Sequence, residues 1–202
     1  MNKHERDSLK AYNKIASNYD ESLDGKLTAQ FKKTLLTFCD VSDGDKVLDV
    51  GCGNGTLIHE ISQKGSIEAY GVDISPNMIA ECKKRYVGIQ FDVSSAESFQ
   101  FEDDSLNVIT ICCVLHHLND AELFVKEAKR VLKKDGVLLI AEIWIPAIIR
   151  QIANMIILPL YRAGDNTLFS RKMLKRLATN NQFEVIETYR KGFIQIIKAR
   201  KI

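Results

Sequence analysis

The 202-residue chain has no apolar run long enough to cross a bilayer, no CxxC pair and almost no net charge. Each absence removes a class of function. The most apolar segment, residues 145–161, is broken by Arg150, Gln151 and Asn154. Its uninterrupted runs fall far short of the ~20 residues a membrane-spanning helix needs. The 28 basic residues are nearly matched by 26 acidic ones, so a broadly basic surface for nucleic acid is not expected. Five cysteines (Cys39, Cys52, Cys82, Cys112 and Cys113) are an odd number without metal-site spacing, which fits free thiols in a reducing compartment. Residues 1–7 hold no apolar export core, so a cytoplasmic location is expected. The pairs Cys112-Cys113 and His116-His117 lack further Cys or His to complete four ligands, and no metal is expected. No internal repeat, low-complexity tract or linker divides the chain. The expectation is one domain, residues 41–202, with an arm and helix of residues 1–40 packed on it as part of the same unit.

What is present is organised around Val47-Leu48-Asp49-Val50-Gly51-Cys52-Gly53-Asn54-Gly55. A short apolar strand runs into three alternating glycines, and Leu57, Ile58 and Ile61 then follow at helical spacing. Glycine at a strand-to-helix turn opens backbone angles closed to other residues and lets a ligand lie on bare main chain. A second strand, Glu68–Asp73, ends at an acid, and Ser75-Pro76 reads as a helix N-cap. A third strand is expected near Ile89–Val93. The almost unbroken apolar run Val108–Val114 reads as a strand buried on both faces. Leu123, Glu127, Val131 and Leu132 belong to a helix that Lys133-Lys134-Asp135-Gly136 should end, with a fifth strand over Val137–Glu142. Ser170 caps one more helix carrying Leu174, Leu177 and Ala178. Phe183–Tyr189 and Phe193–Arg200, linked around Lys191-Gly192, must pair antiparallel. The alternation predicts an α/β, doubly wound sheet, mostly parallel with one antiparallel strand. Ahead of it, Tyr12, Ile15 and Tyr19 suit one helical face, either as an arm packed on the domain or as a lid with a tyrosine over the pocket. Leu27, Phe31, Leu35 and Phe38 mark an amphipathic helix.

Five pieces, VLDVGCGNG (47–55), GVDIS followed by Met78 (71–78), SAESFQF (95–101), VLHHL (114–118) and LKKDGVLLIAE (132–142), stand in an order and spacing that resemble a known family. The chain is similar to class I S-adenosyl-L-methionine-dependent methyltransferases, of the small stand-alone kind that includes the quinone-biosynthesis C-methyltransferases, over roughly residues 10–200. The resemblance implies a Rossmann-like, seven-stranded sheet and S-adenosyl-L-methionine as cofactor. It places Gly51, Cys52, Gly53, Asn54 and Gly55 under the methionine part, and Tyr19 over the pocket. Asp49 would orient the loop and the ligand's ammonium group, or merely cap the turn. Asp73 would accept both ribose hydroxyls, as an acceptor-only carboxylate can, or else serve as a strand-end cap. Ile74 and Met78 would pack on adenine or be ordinary core. Ser95, Ala96 and Glu97 form the adenine loop, and Cys112 lies beside the methionine end. His117 would be a general base or a histidine that fixes its loop.

The rival ligand, a dinucleotide, needs a GxGxxG turn, and Thr56 stands where the third glycine should be. Two departures from the family are visible. Ser95 replaces the usual Asp of the adenine loop, with Asp92 three residues earlier as the substitute carboxylate to be tested by structure, and Asn107 stands where Asp is favoured. The Cys-Cys-Val-Leu run replaces the Asn/Asp-Pro-Pro-aromatic motif of relatives that methylate bases or glutamine. Residues 145–168 would overhang the acceptor side as a lid; core packing, a dimer contact or a peripheral membrane contact are the alternatives. The expected acceptor is a small lipophilic or aromatic molecule, with no nucleic acid, bound by a monomer or homodimer. Cofactor binding without methyl transfer, and an RNA- or protein-directed methyltransferase, remain as other classes.

Overall fold

A computed structural model describes residues 3–158 and 166–202. The chain enters through α1 (Lys3–Ile15) and a 3-10 turn (Ala16–Glu21), then α2 (Leu23–Leu36). Strands and helices then alternate: β1 (Lys46–Val50), α3 (Thr56–Ser62), β2 (Glu68–Asp73), α4 (Pro76–Arg85), β3 (Gln90–Val93), β4 (Leu106–Cys112), α5 (Ala121–Val131) and β5 (Leu132–Ile143). α6 (Ala147–Ile152) continues as a π-helical stretch (Ala153–Ile157); α7 (Arg171–Asn180), β6 (Phe183–Lys191) and β7 (Ile194–Lys201) complete the chain. The seven strands form one sheet in the order β3-β2-β1-β4-β5-β7-β6. Neighbours from β3 to β5 pair parallel, and β7 is antiparallel to both β5 and β6.

Two apolar layers cover the sheet. In β1, Leu48 and Val50 face one layer with Phe124, Val125, Ala128 and Leu174, while Val47 faces the other with Phe31, Leu35, Leu57, Ile58 and Ile79. Alternation along a strand buried on both sides produces this division. The caps read from sequence are in place: Ser75 Oγ accepts the Met78 amide at 3.1 Å and Ser170 Oγ the Met173 amide at 3.1 Å.

Several boundaries differ from expectation. The strand expected from Val137 begins at Leu132, which pairs with Leu106 before a register shift; Asp135 takes φ +64° inside it. The Lys133–Gly136 punctuation is therefore an irregularity within a strand and not a helix end. Leu27 and Leu123 face solvent, and Phe38 lies past the end of α2, packed against Tyr189. The helix expected to carry Tyr12 and Tyr19 breaks after Ile15, yet the two rings stay 6.3 Å apart. Residues 159–165 of the segment expected as a lid lie outside the described residues, as do Met1 and Asn2 of the arm.

Candidate cofactor and active site

The strand order reverses between β1 and β4, and open α/β sheets bind ligands at such a point, beyond the carboxyl ends of the strands. A cleft lies there, concave and lined by mixed polar and apolar groups as small-molecule sites are. Its floor is Gly51 and Gly53 after β1, Asp73 at the end of β2 with Ile74 beyond it, Ser94–Ala96 after β3, and Cys112 at the end of β4 with Cys113 and Val114 beyond it. Its roof is the arm: Glu5, Ser8, Tyr12 and Tyr19, with Thr28 and Lys32 from α2. Asn13 fastens that arm across the cleft, its Oδ1 accepting the Ser75 hydroxyl at 2.6 Å.

The glycine turn is held from two sides. Gly51, Gly53 and Gly55 have φ of +67°, +53° and +75°. A Cβ on Gly51 would meet Val114 Cγ2 at 2.4 Å, whereas one on Gly53 would meet nothing within 4 Å. Gly51 is thus required by packing, and Gly53 presents bare backbone to the open cleft. The Gly53 amide donates to Asp73 Oδ2 at 2.9 Å and the Ser75 amide to Asp73 Oδ1 at 2.8 Å, so one carboxylate joins the first and second strand ends. Burial raises the Asp73 pKa, and its amide bonds pull it back.

Of the residues singled out from sequence, Tyr19, Gly51, Gly53, Asp73, Ile74, Met78, Ser95, Ala96, Cys112 and His117 are brought to one cleft. Five others do not line it. Asp49 lies beneath, fully buried, accepting the Thr110 hydroxyl at 2.6 Å; burial pushes its carboxyl up to about 6 against that bond and the Lys32 charge. Cys52 packs its sulfur toward Gly71, and Gly55 is backed by Cys82 and Tyr86. Asn54 turns to Lys32 and Asp20, and Glu97 accepts the Asp120 amide at 3.0 Å. Asp92 points into solvent toward Lys83, away from the cleft. Asn107 sits at the opposite end of the strands, accepting from the Lys46 amide and Lys133 Nζ.

Sequence reasoning missed other lining groups. Cys113, next to Cys112 in sequence, adopts φ +56°, leaves the extended conformation, and both line the cleft. The Cys112 thiol against it, then burial, hold Cys113 well above the ordinary thiol range, so it stays neutral. Lys32 is 8% exposed, its Nζ donating to Asn54 Oδ1 at 2.6 Å, with no carboxylate in ion-pair distance among the described residues. A buried cation is costly without a counter-charge. The signal was the 28-32-35 spacing in α2, which puts Lys32 on the face that buries Leu35.

His117 sits on a 3-10 turn (Leu115–His117) after β4. Its Nε2 lies 3.0 Å from the Tyr12 hydroxyl, and its ring contacts that of His116 at 4.1 Å. His116 Nδ1 is 2.8 Å from Glu142 Oε2, and its carbonyl accepts the Asn166 amide at 2.7 Å, so the turn is fixed from β5 and from the segment after α6.

The cleft offers what a sulfonium nucleoside needs: backbone open at Gly53, a carboxylate at Asp73 for the ribose and, in the roof, a buried cation at Lys32. Residues 41–187 match a family model described as a methyltransferase domain. The chain belongs to the methyltransferase-domain family. It is an S-adenosyl-L-methionine-dependent methyltransferase with a Rossmann-like fold. It is similar to the demethylmenaquinone methyltransferase of Tropheryma whipplei, at 29% identity over 182 residues, 87% of this chain and 70% of that one. The protein of the same name from Chlorobaculum parvum is 35% identical over 101 residues, 50% of this chain and 42% of the relative. Among solved structures, the YcgJ protein of Bacillus subtilis superposes with a TM-score of 0.72 at 18% identity, covering 86% of this chain and 98% of that one, a likeness of fold.

Proposed function

We propose that this methyltransferase acts on a small lipophilic or aromatic acceptor, a quinol or phenol, entering beside α6. The observation that carries this reading is the exposed apolar face after β5: Ile148, Ile149, Ile152, Met155 and Ile156 are all exposed, Met155 by 78%. Exposed apolar patches mark sites for apolar ligands, partners or membrane surfaces. The names of the Tropheryma and Chlorobaculum relatives, demethylmenaquinone methyltransferases, support the same class of acceptor. Among the described residues no helix is long and apolar enough to cross a membrane, so contact with a lipid surface would be peripheral. The described residues of the 145–168 segment serve as the acceptor-side cover and those of 1–40 as the cofactor-side roof.

The cofactor supplies a methyl group already activated by a positive sulfur. The protein's task is to hold the acceptor in line and exclude water. Gly51 and Gly53 offer flat backbone to the methionine part, and Lys32 offers a charge for its carboxylate. Asp73 takes the ribose hydroxyls. Ile74 and Met78 flank the adenine, with Ala96 beyond them. Asp49, Cys52, Asn54, Gly55 and Glu97 act one layer behind, holding the loops in place. The proton of an acceptor hydroxyl that must ionise passes to the Tyr12 hydroxyl as that hydroxyl gives its own to His117 Nε2, 3.0 Å away. The test is turnover with isotopically labelled methyl donor against a panel of demethylated quinols, simple phenols, purine nucleosides and a peptide mixture. Label in quinol or phenol product is expected; label only in nucleoside or peptide would refute the acceptor class.

A further inference from the structure

We infer that α1 carries the adenine-reading groups of this enzyme: the Glu5 carboxylate in place of the acid absent at position 95, and the Ser8 hydroxyl beside it. The inference rests on the cofactor reading above. The loop after β3 presents Ser95, which cannot offer a carboxylate, and Asp92 points away from the cleft. Across the cleft, Glu5, Ser8 and Tyr12 recur at i, i+3 and i+7, one face of a helix, and all three line it. Ser95 Oγ donates to Glu5 Oε1 at 3.4 Å, so the helix acid and the loop hydroxyl converge on one spot. Ser8 supplies an independent observation. It is 5% exposed, and its Oγ has no hydrogen-bond partner among the described residues while it lines the same cleft. A buried hydroxyl left unpaired costs about 1–3 kcal/mol, which a ligand atom would recover.

The pair fits one kind of base. Adenine offers an amine donor next to a ring-nitrogen acceptor. Glu5 accepts from the amine and Ser8 donates to the ring nitrogen. Hypoxanthine, with a carbonyl in place of the amine, reverses that pattern and leaves Glu5 facing another acceptor. A site built to hydrogen-bond a ligand group rejects the analogue lacking it, because its own polar groups are left unpaired.

Titration calorimetry with S-adenosylhomocysteine and S-inosylhomocysteine tests this on the whole chain. The unmodified protein should prefer the adenosyl compound at least tenfold. Glu5→Gln is isosteric and should weaken the adenosyl compound about tenfold while leaving the inosyl compound unchanged or tighter. Ser8→Ala should also weaken the adenosyl compound alone. Adding Ser95→Asp to Glu5→Gln should restore the preference. Equal losses for both compounds, or no loss, would overturn the role of α1 while leaving the cofactor site standing. An unmodified protein that binds neither compound would sink the cofactor site, and this inference with it.

Discussion

Adding one methyl group at Gly53 or at Gly51 separates binding from folding. Both residues have positive φ, and an alanine there costs about 1–2 kcal/mol. At Gly53 nothing else is added, since the new Cβ meets no atom within 4 Å. A loss of about 1 kcal/mol lowers Tm by roughly 2–4 °C in a domain of this size. At Gly51 the Cβ would stand 2.4 Å from Val114 Cγ2 and 2.8 Å from Cγ1. Overpacking of that kind adds about 1–3 kcal/mol, so Gly51→Ala should lose about 2–5 kcal/mol in all. Thermal unfolding and calorimetry with S-adenosylhomocysteine read the two effects apart. Gly53→Ala should fold almost normally and bind at least tenfold more weakly, because its methyl stands where the ligand lies. Unchanged affinity in Gly53→Ala would show that no ligand rests on that backbone. A Gly51→Ala protein as stable as Gly53→Ala would refute the packing account of the turn.

Other outcomes follow from the same site. The Asp49 carboxyl, raised to about 6 by burial, stabilises the fold fully below its ordinary range near 4, and that contribution is lost as pH rises through 6. Asp49→Asn should therefore gain up to about 3 kcal/mol on the unmodified protein at pH 7.5 and nothing near pH 4; denaturant midpoints at the two pH values check it, and equal differences at both would refute the burial account. Lys32→Met should weaken S-adenosylhomocysteine about 10- to 100-fold, the loss of one charge-assisted bond, and leave 5′-methylthioadenosine, which lacks the carboxylate, unchanged. Phe124→Ala, emptying a fully buried ring site between α5 and the sheet, should cost about 3–5 kcal/mol by chemical denaturation while leaving cofactor affinity within twofold at low temperature.

How legible these features were in the sequence depends on how local their causes are. The β1 turn was readable because a buried strand, three alternating glycines and a helical stripe lie within fifteen residues. Asp73 was readable because a strand end followed by Ser-Pro fixes its position. The start of β5 was not, since Asp135-Gly136 carries turn chemistry and the strand is continued across it by pairing with Leu106 and Val108 on β4. The left-handed φ of Cys113 was not readable, since it goes with a bond from its amide to the Ala141 carbonyl on β5, a contact remote in sequence. Glu5, Ser8 and Lys32 were invisible for another reason. They reach the cleft from helices whose positions depend on tertiary docking, and each alone reads as an ordinary polar residue on a helix surface.

The arm across the cleft has a consequence for turnover. Tyr12 touches the histidine turn, Asn13 ties to the second strand end, and Glu5 meets the third, all within three turns of one helix. That helix covers one side of the bound nucleoside, so lifting it would widen the way out. A chain shortened by its first fifteen residues should then exchange nucleoside faster while holding it less tightly.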